Sequence, residues 1–225
     1  MTLKVVIFGS TGGSGKAALV NAIEAGHTVT VLVRDSSKLD SLGPENKAKI
    51  RIVEGNIKDT EKVKEVIEGQ QVVVSAIGGA MDFSNPLKPT LSDPTICMDA
   101  ITNIISAIST AANPPTRLIA LSTTGISNSR DIPLLFLPLY HWMLAVPHED
   151  KKKMEEAIVE AGEKGIIKEW IIVRPGLLTN GEKTGNYQVG EGIIGYLISR
   201  EDVGDFVTKN LESHEWVGKY PVLVN

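Results

Sequence analysis

The sequence predicts an α/β fold, a doubly wound parallel sheet with helices on both faces. Short apolar runs rich in Val and Ile alternate along the 225 residues with longer segments of helical pattern, and no internal repeat interrupts them. The first run, Leu3 to Phe8, stops at a glycine; Gly9, Gly12 and Gly15 then recur at every third position, with Gly13 among them, before the helical AALVNAIEAG. A buried strand, a tight glycine turn and a helix start together make a pyrophosphate site. Glycine lets the backbone approach the ligand closely, and unpaired N–H groups at the helix start face its negative charge.

The remaining elements follow in order. Gly26 closes the first helix and His27 to Val33 forms a second strand, with His27 in a solvated or capping role at the turn. Arg34 follows directly, then Asp35, Ser36, Ser37 and Lys38. An acid at that strand tip would hydrogen-bond the free 2′-hydroxyl of NAD; a cation there suits a 2′-phosphate and favours NADPH, although Asp35 is adjacent. Lys49 to Glu54 is the third strand, followed by Gly55-Asn56-Ile57 and a helix over Thr60 to Glu68 with Thr60 as its N-cap. Gln71 to Ile77 is the fourth, and Gly78-Gly79 opens its carboxyl end.

Met81 to Pro94 is polar and proline-rich and is expected to form a rim loop near the site. A long helix starts at Asp93-Pro94-Thr95 and is stopped by Asn113-Pro114-Pro115; Arg117 to Leu121 is the fifth strand, ending in Ser122-Thr123-Thr124-Gly125. The apolar Ile132 to Val146 carries Tyr140, His141 and Trp142 among leucines. It reads as a lid over a substrate pocket, as an insertion packed on the body, or as a subunit interface. His148 to Lys153 leads into the helix MEEAIVEAGEKG, and Glu169 to Val173 is the sixth strand, closed by Arg174-Pro175-Gly176. Glycine-rich Gly181 to Gly195, with Tyr187 and the following Tyr196, is expected on the substrate side. Ser199 to Asp202 has capping-box spacing before a helix through Leu211, and Tyr220 to Val224 is the last strand.

Composition narrows the classes of function. A hydrophobic fraction of 42% supports a large core, and the length suits one dinucleotide-binding domain over 1–225, with an insertion at 130–147 and a loop at 177–198. A formal charge of −4 gives no electrostatic reason to expect nucleic acid or acidic lipid as a partner. The single cysteine, Cys97, suits a reducing compartment and reads as a small core residue. No metal-ligand cluster stands out. The chain opens directly into a strand, and Ile132 to Val146 is broken by Pro133 and Pro138, so a soluble cytoplasmic protein without a membrane span is expected.

Taken as a set, G9-S-T-G12-G13-S-G15, VLVRD at Val31 to Asp35, VVSAIG at Val73 to Gly78 and IIVRPG at Ile171 to Gly176 resemble the atypical short-chain dehydrogenase/reductase group. That group includes NmrA-like proteins and the biliverdin reductase B (flavin reductase) type. The likeness runs from about Leu3 to Asp202 and is weak in Met81 to Pro94 and Ile132 to Pro147, the parts that would shape substrate choice. It implies a Rossmann-type fold that binds NADP(H). Gly9, Thr11, Gly12, Gly13, Ser14 and Gly15 would hold the pyrophosphate. Arg34, Ser36 and Lys38 would surround the 2′-phosphate, and Asn56 and Ile57 would flank adenine. Ala76, Ile77 and Gly78 would line the middle of the cofactor, Ser122 and Thr123 would lie near nicotinamide and substrate, and Pro175 would approach the carboxamide.

Ordinary reductases of this superfamily use a Tyr-x-x-x-Lys pair. Lys151 falls on that lysine and is expected to hold ribose, yet Pro147 stands four residues earlier, where the tyrosine would be. Proline has no proton to give. Tyr140 and His148 are nearby but lack the spacing. Hydride transfer to a flavin, a quinone or a similar flat conjugated acceptor can proceed with a proton from water, the protein supplying proximity and orientation. The expected function is therefore an NADPH-dependent reductase of such an acceptor, with Ser122, Thr123 and Lys151 as its catalytic candidates. Tyr140, His141, Trp142 and His148 are the substrate-side or lid candidates. The alternative is a non-catalytic NADP(H) sensor of NmrA-like type that meets a protein partner, or a second copy, through 132–146. A third reading is a scaffold on a vestigial Rossmann fold, against which the intact glycines and Arg34 stand.

Overall fold

The computed structural model describes residues 1–85, 89–127 and 130–225 and, at 139–141, the backbone alone. β1 (Lys4–Phe8) leads through the glycine turn into α1 (Gly13–Glu24), and β2 (Thr28–Val33) returns beside it. A short α2 (Gly43–Lys47) precedes β3 (Ile50–Glu54), α3 (Thr60–Ile67) and β4 (Val72–Ser75). The rim segment forms a small antiparallel pair, β5 (Met81–Asp82) and β6 (Thr90–Leu91). Then come α4 (Ile96–Thr110), β7 (Arg117–Leu121), α5 (Leu137–Met143), α6 (Ala145–Glu163) and β8 (Glu169–Pro175). β9 (Leu177–Thr179), β10 (Gln188–Gly190), β11 (Leu197–Ser199), α7 (Arg200–Lys209) and β12 (Val222–Val224) complete the chain.

The main sheet has the order β3-β2-β1-β4-β7-β8-β12-β10. Chain order reverses between β1 and β4, so their carboxyl ends open a crevice there, the place where sheets of this kind bind ligands. Strand alternation sends Val5 and Ile7 to one face with Leu19, Val203 and Phe206, and Val6 and Phe8 to the other with Val63, Ile101 and Met154. Two cores result, one on each face. α1 and α7 meet so closely that a Cβ on Gly204 would lie 2.5 Å from that of Ala17.

Local chemistry departs from the sequence reading at four places. The doubly wound parallel sheet gains one antiparallel strand at its edge, where β10 runs antiparallel to β12; an edge strand has a single neighbour, and its direction depends on where the preceding loop delivers it. The N-cap of α3 is Asp59 instead of Thr60, because its carboxylate accepts from the N–H groups of Glu61 and Lys62. α6 starts at Ala145, well before the expected helix. Pro147 is tolerated in its first turn, where a missing N–H leaves no intrahelical bond unmade. The Ser199–Asp202 box works in one direction only. Ser199 Oγ accepts from the Asp202 N–H, but the short Asp202 carboxylate turns to the N–H groups of Thr184 and Gly185 and to both hydroxyls of Thr184 and Ser199.

Burial of Asp202 pushes its carboxyl up, but the hydrogen bonds from Gly185, Ser199 and Thr184 outweigh burial and hold it below the ordinary aspartate range. A depressed folded-state pKa contributes stability that is complete above the unfolded pKa of about 3.9 and is lost as pH falls through the folded value. Asp202→Asn should lower stability near neutral pH by about 2 kcal/mol, and the gap from wild type should shrink in acid; urea unfolding at a series of pH values measures both.

Candidate functional site: a cleft at the sheet reversal

The crevice between β1 and β4 opens into a cleft of about 420 Å³. Its floor is Gly9, Thr11 and Gly12 from the glycine turn and Ala76, Ile77 and Gly78 from the end of β4. One end is Leu32 and Val33 at the end of β2 with Arg34 and Lys38 after it, faced by Gly55, Asn56, Ile57 and Lys58 after β3. Gly79, Ala80, Ser92, Asp93 and Ile96 form the opposite wall.

The glycines do different work. Gly9 has φ +79°, and a Cβ on it would lie 2.5 Å from Ala76 O. A Cβ on Gly15 would lie 2.2 Å from Gly9 O. These two let the turn, the helix and β4 meet backbone to backbone. At Gly12 the nearest atom to an added Cβ is Gly9 O at 3.4 Å, so a side chain there fits the fold and projects where the ligand would lie. Beside the turn, the buried hydroxyls of Ser10 and Ser14 have no hydrogen-bond partner among the described residues. Open donors and a side-chain-free cradle are what a pyrophosphate needs.

The two ends of the cleft are charged differently. Arg34 and Lys38 are exposed and make no ion pair among the described residues. Asp35 beside them is engaged at home: its carboxylate accepts from the Ser37 hydroxyl and N–H, which hold it below the usual range. Ser36 gives its N–H to Glu54 Oε1 at 3.1 Å. Across the cleft, Lys58 bridges Asp93 at 2.8 Å and Asp99 at 2.9 Å. Asn56 Oδ1 accepts from the Lys58 N–H, which shapes the turn, and Asn103 Nδ2 fixes the Ile57 carbonyl.

α6 supports the cleft from behind. Lys151 Nζ donates to Ile77 O at 2.8 Å and Leu121 O at 2.5 Å, joining the carboxyl ends of β4 and β7. The neighbouring Asp150 is buried and accepts from the N–H groups of Cys97 and Met98, 2.9 Å each. It caps α4 from another helix, since Thr95 makes no side-chain cap. Cys97 is buried with its thiol on Ile77 O; burial pushes it up to about 11, so it is an inert core residue near neutral pH.

A family model for NAD(P)H-binding proteins matches residues 9–214. The chain belongs to this NAD(P)H-binding family. A reductase of Aspergillus terreus, pytE, is 39% identical, the alignment covering 96% of this chain and 95% of the relative. The oxidase pynE of Aspergillus niger is 27% identical over 92% of each. Among solved structures, a short-chain dehydrogenase/reductase of Veillonella parvula in complex with NADP superposes with a TM-score of 0.78 at 16% identity, covering all of this chain and 95% of that one. ChuY, an anaerobilin reductase of Escherichia coli O157:H7, gives 0.71 at 17% identity, covering 98% and 96%. At such identities these two show a shared fold.

In this NAD(P)H-binding protein the cleft brings together Gly9, Thr11, Gly12, Arg34, Lys38, Asn56, Ile57, Ala76, Ile77 and Gly78 from the sequence reading. Ser14 and Gly15 are buried behind the turn, and Gly13 lies under the side chain of Arg200. Ser36, Ser122, Thr123, Lys151 and Pro175 are outside the cleft lining. Ser122 and Thr124 bond to the carbonyls of Val173 and Pro175, which stitches the ends of β7 and β8 together, and the buried Ser122 Oγ has no partner among the described residues. The side chains of Tyr140 and His141 lie outside the described residues. Trp142 is exposed, and His148 lines a separate cavity of about 350 Å³ with Gly125, Ile126 and Ser127. Tyr187 is at the far sheet edge, against Phe206 with its hydroxyl on Asp205.

Leu32, Lys58 and Ile96 line the cleft and escaped sequence reasoning. A larger groove, about 710 Å³, runs along α6 past Glu155, Arg174 and Tyr220, but its buried charges already satisfy one another, Arg174 pairing with Glu155. Among the described residues no helix is long and apolar enough to cross a membrane.

Gly12→Val should fold as wild type, with a thermal midpoint within a few degrees. Its NADPH affinity should fall at least tenfold, about 1.4 kcal/mol, by calorimetric titration.

Proposed function

We propose that this protein is an NADPH-dependent oxidoreductase that reduces a flat conjugated acceptor, a quinone or a flavin, by direct hydride transfer. The observation that carries the reading is the pairing of unengaged cations with an apolar rim. Arg34 and Lys38 are available for a 2′-phosphate at one end of the cleft. Phe136 meets Tyr196 edge to face at 5.5 Å, which joins the 132–146 segment to the loop before β11. Along the same two stretches of chain Leu134, Leu135, Trp142, Ile194 and Leu197 are exposed. An apolar rim with aromatic edges suits a flat hydrophobic molecule. The likeness to a reductase at 39% identity supports the class of reaction.

The cofactor supplies hydride when bound, and the chain supplies geometry. Gly9, Thr11 and Gly12 with the helix start hold pyrophosphate; Arg34, Ser36 and Lys38 hold the 2′-phosphate; Asn56 and Ile57 flank adenine. Lys151 keeps the ends of β4 and β7 in place through two of its three N–H donors, and the third would hold the ribose. Ser122 and Thr123 mark the substrate side, and the 132–146 segment excludes water from it. The acceptor takes a hydride, hence two electrons, and one proton; with Pro147 in the tyrosine position that proton comes from water. Residues 1–225 act as one cofactor-binding unit in the cytoplasm, related to NmrA-like and flavin reductase-type proteins.

The presence of Pro147 favours a second reading, a non-catalytic NADP(H) sensor that uses the exposed Leu134, Leu135 and Trp142 for a partner. Turnover separates the two. NADPH oxidation at 340 nm should accelerate with 1,4-naphthoquinone or FMN as acceptor, and Arg34→Gln should erase most of the preference for NADPH over NADH. Tight NADPH binding with no acceptor-dependent oxidation across a broad quinone and flavin panel would overturn the reductase reading in favour of the sensor.

A further inference from the structure

Gly13 is the glycine that the pyrophosphate turn does not require. Its neighbours Gly9 and Gly15 are enforced by backbone contacts, and Gly12 by the ligand's approach. A Cβ on Gly13 would instead lie 2.3 Å from Cδ and 2.9 Å from Nε of Arg200. What passes over the turn is therefore the side chain of an arginine from the first position of α7, about 190 residues further along the chain.

The guanidinium is held from one side. Arg200 Nη1 donates to Asn180 Oδ1 at 2.7 Å and to Leu178 O at 3.3 Å, both in the segment that follows β8. Among the described residues no carboxylate pairs with it: Glu201 points away to solvent, and Asp202 is buried with the 184–185 loop. Its Nε and Nη2 donors have no partner among the described residues, beside a turn whose N–H groups already favour an anion. Arginine suits this place because several donors leave one planar group, so one edge can stay on Asn180 while another meets a phosphate oxygen.

We infer that Arg200 is a further cofactor-binding residue, a cation that lies over Gly13 and pairs with the pyrophosphate. The inference rests on the NADP(H) reading of the cleft. It also gives Gly13 its function, as the gap through which Arg200 reaches the turn. Because Asn180 and Leu178 hold the other edge of the guanidinium, cofactor binding orders the segment between β8 and β11, whose Tyr196 meets Phe136 of the apolar rim.

Calorimetric titration tests this with two probes, NADPH and adenosine 2′-monophosphate, which shares the 2′-phosphate end but has no pyrophosphate. Arg200→Ala should weaken NADPH at least tenfold and leave the monophosphate within twofold. Arg200→Lys, which keeps charge but loses the second edge, should fall between. Gly13→Ala should weaken NADPH by displacing Arg200, and combining Gly13→Ala with Arg200→Ala should cost no more than Arg200→Ala alone. Unchanged NADPH affinity in Arg200→Ala, equal loss of both probes, or additive losses in the double variant would each overturn the assignment. Thermal midpoints of all variants identify any loss through unfolding, and Arg200→Lys then carries the test. Failure of wild type to bind NADPH would instead remove the reading of the cleft on which the inference stands.

Discussion

Three stretches of backbone meet at the start of this fold with no side chain between them. Gly9 closes on Ala76, and Gly15 closes on Gly9 at distances that any Cβ would forbid. That contact brings β1, α1 and β4 together at the sheet reversal and leaves their polar backbone groups facing a cleft instead of a packed core. An ordinary side chain at either glycine would push the helix off the strand ends, and the crevice would lose its floor. The cost of two glycines in backbone entropy, on the order of 1 kcal/mol each, is small beside the position it secures for the helix N-terminus.

The far side of the same junction is held by charge. α6 places Asp150 and Lys151 in sequence, and the two act in opposite directions. Asp150 accepts from N–H groups in the first turn of α4, while Lys151 donates to the Ile77 carbonyl just past β4 and to the last carbonyl of β7. One turn of helix thereby satisfies donors and acceptors that the ends of three elements leave open. Arg117 does the equivalent at the opposite end of β7, where it meets Glu169 and the carbonyls of Asn210, Leu211 and Ser213 after α7. The sheet is thus pinned at one end by the half-buried Lys151 and at the other by the buried Arg117, and the cleft sits on a stiff support while its outer rim is built from longer loops.

Legibility in the sequence followed how local the physics is. β1, the glycine turn and the start of α1 are specified within the first fifteen residues, and the cleft residues at 34, 38, 56, 57 and 76–78 follow the strand ends closely, so strand order places them. The start of α6 was hidden because Pro147 and the charge run at 148–153 resemble a loop; the helix forms because proline is harmless in a first turn and Asp150 has a buried partner on α4. The antiparallel β10 depends on the far edge of the sheet, and its three residues carry no period. The position of Arg200 over Gly13 was invisible for a related reason: it arises from a contact between chain segments almost the full length apart. Met81 to Pro94 was expected as a rim loop and does line the cleft, through Ser92 and Asp93, but its paired strands β5 and β6 are two residues each, too short to show a period.

Amide hydrogen exchange with and without NADPH tests most directly whether the cleft is where the cofactor binds. The account predicts added protection over residues 9–16, 55–58 and 76–80, which line or support the cleft, with little change along the groove at 155–163. Protection concentrated along that groove, or none at the glycine turn under saturating NADPH, would contradict it.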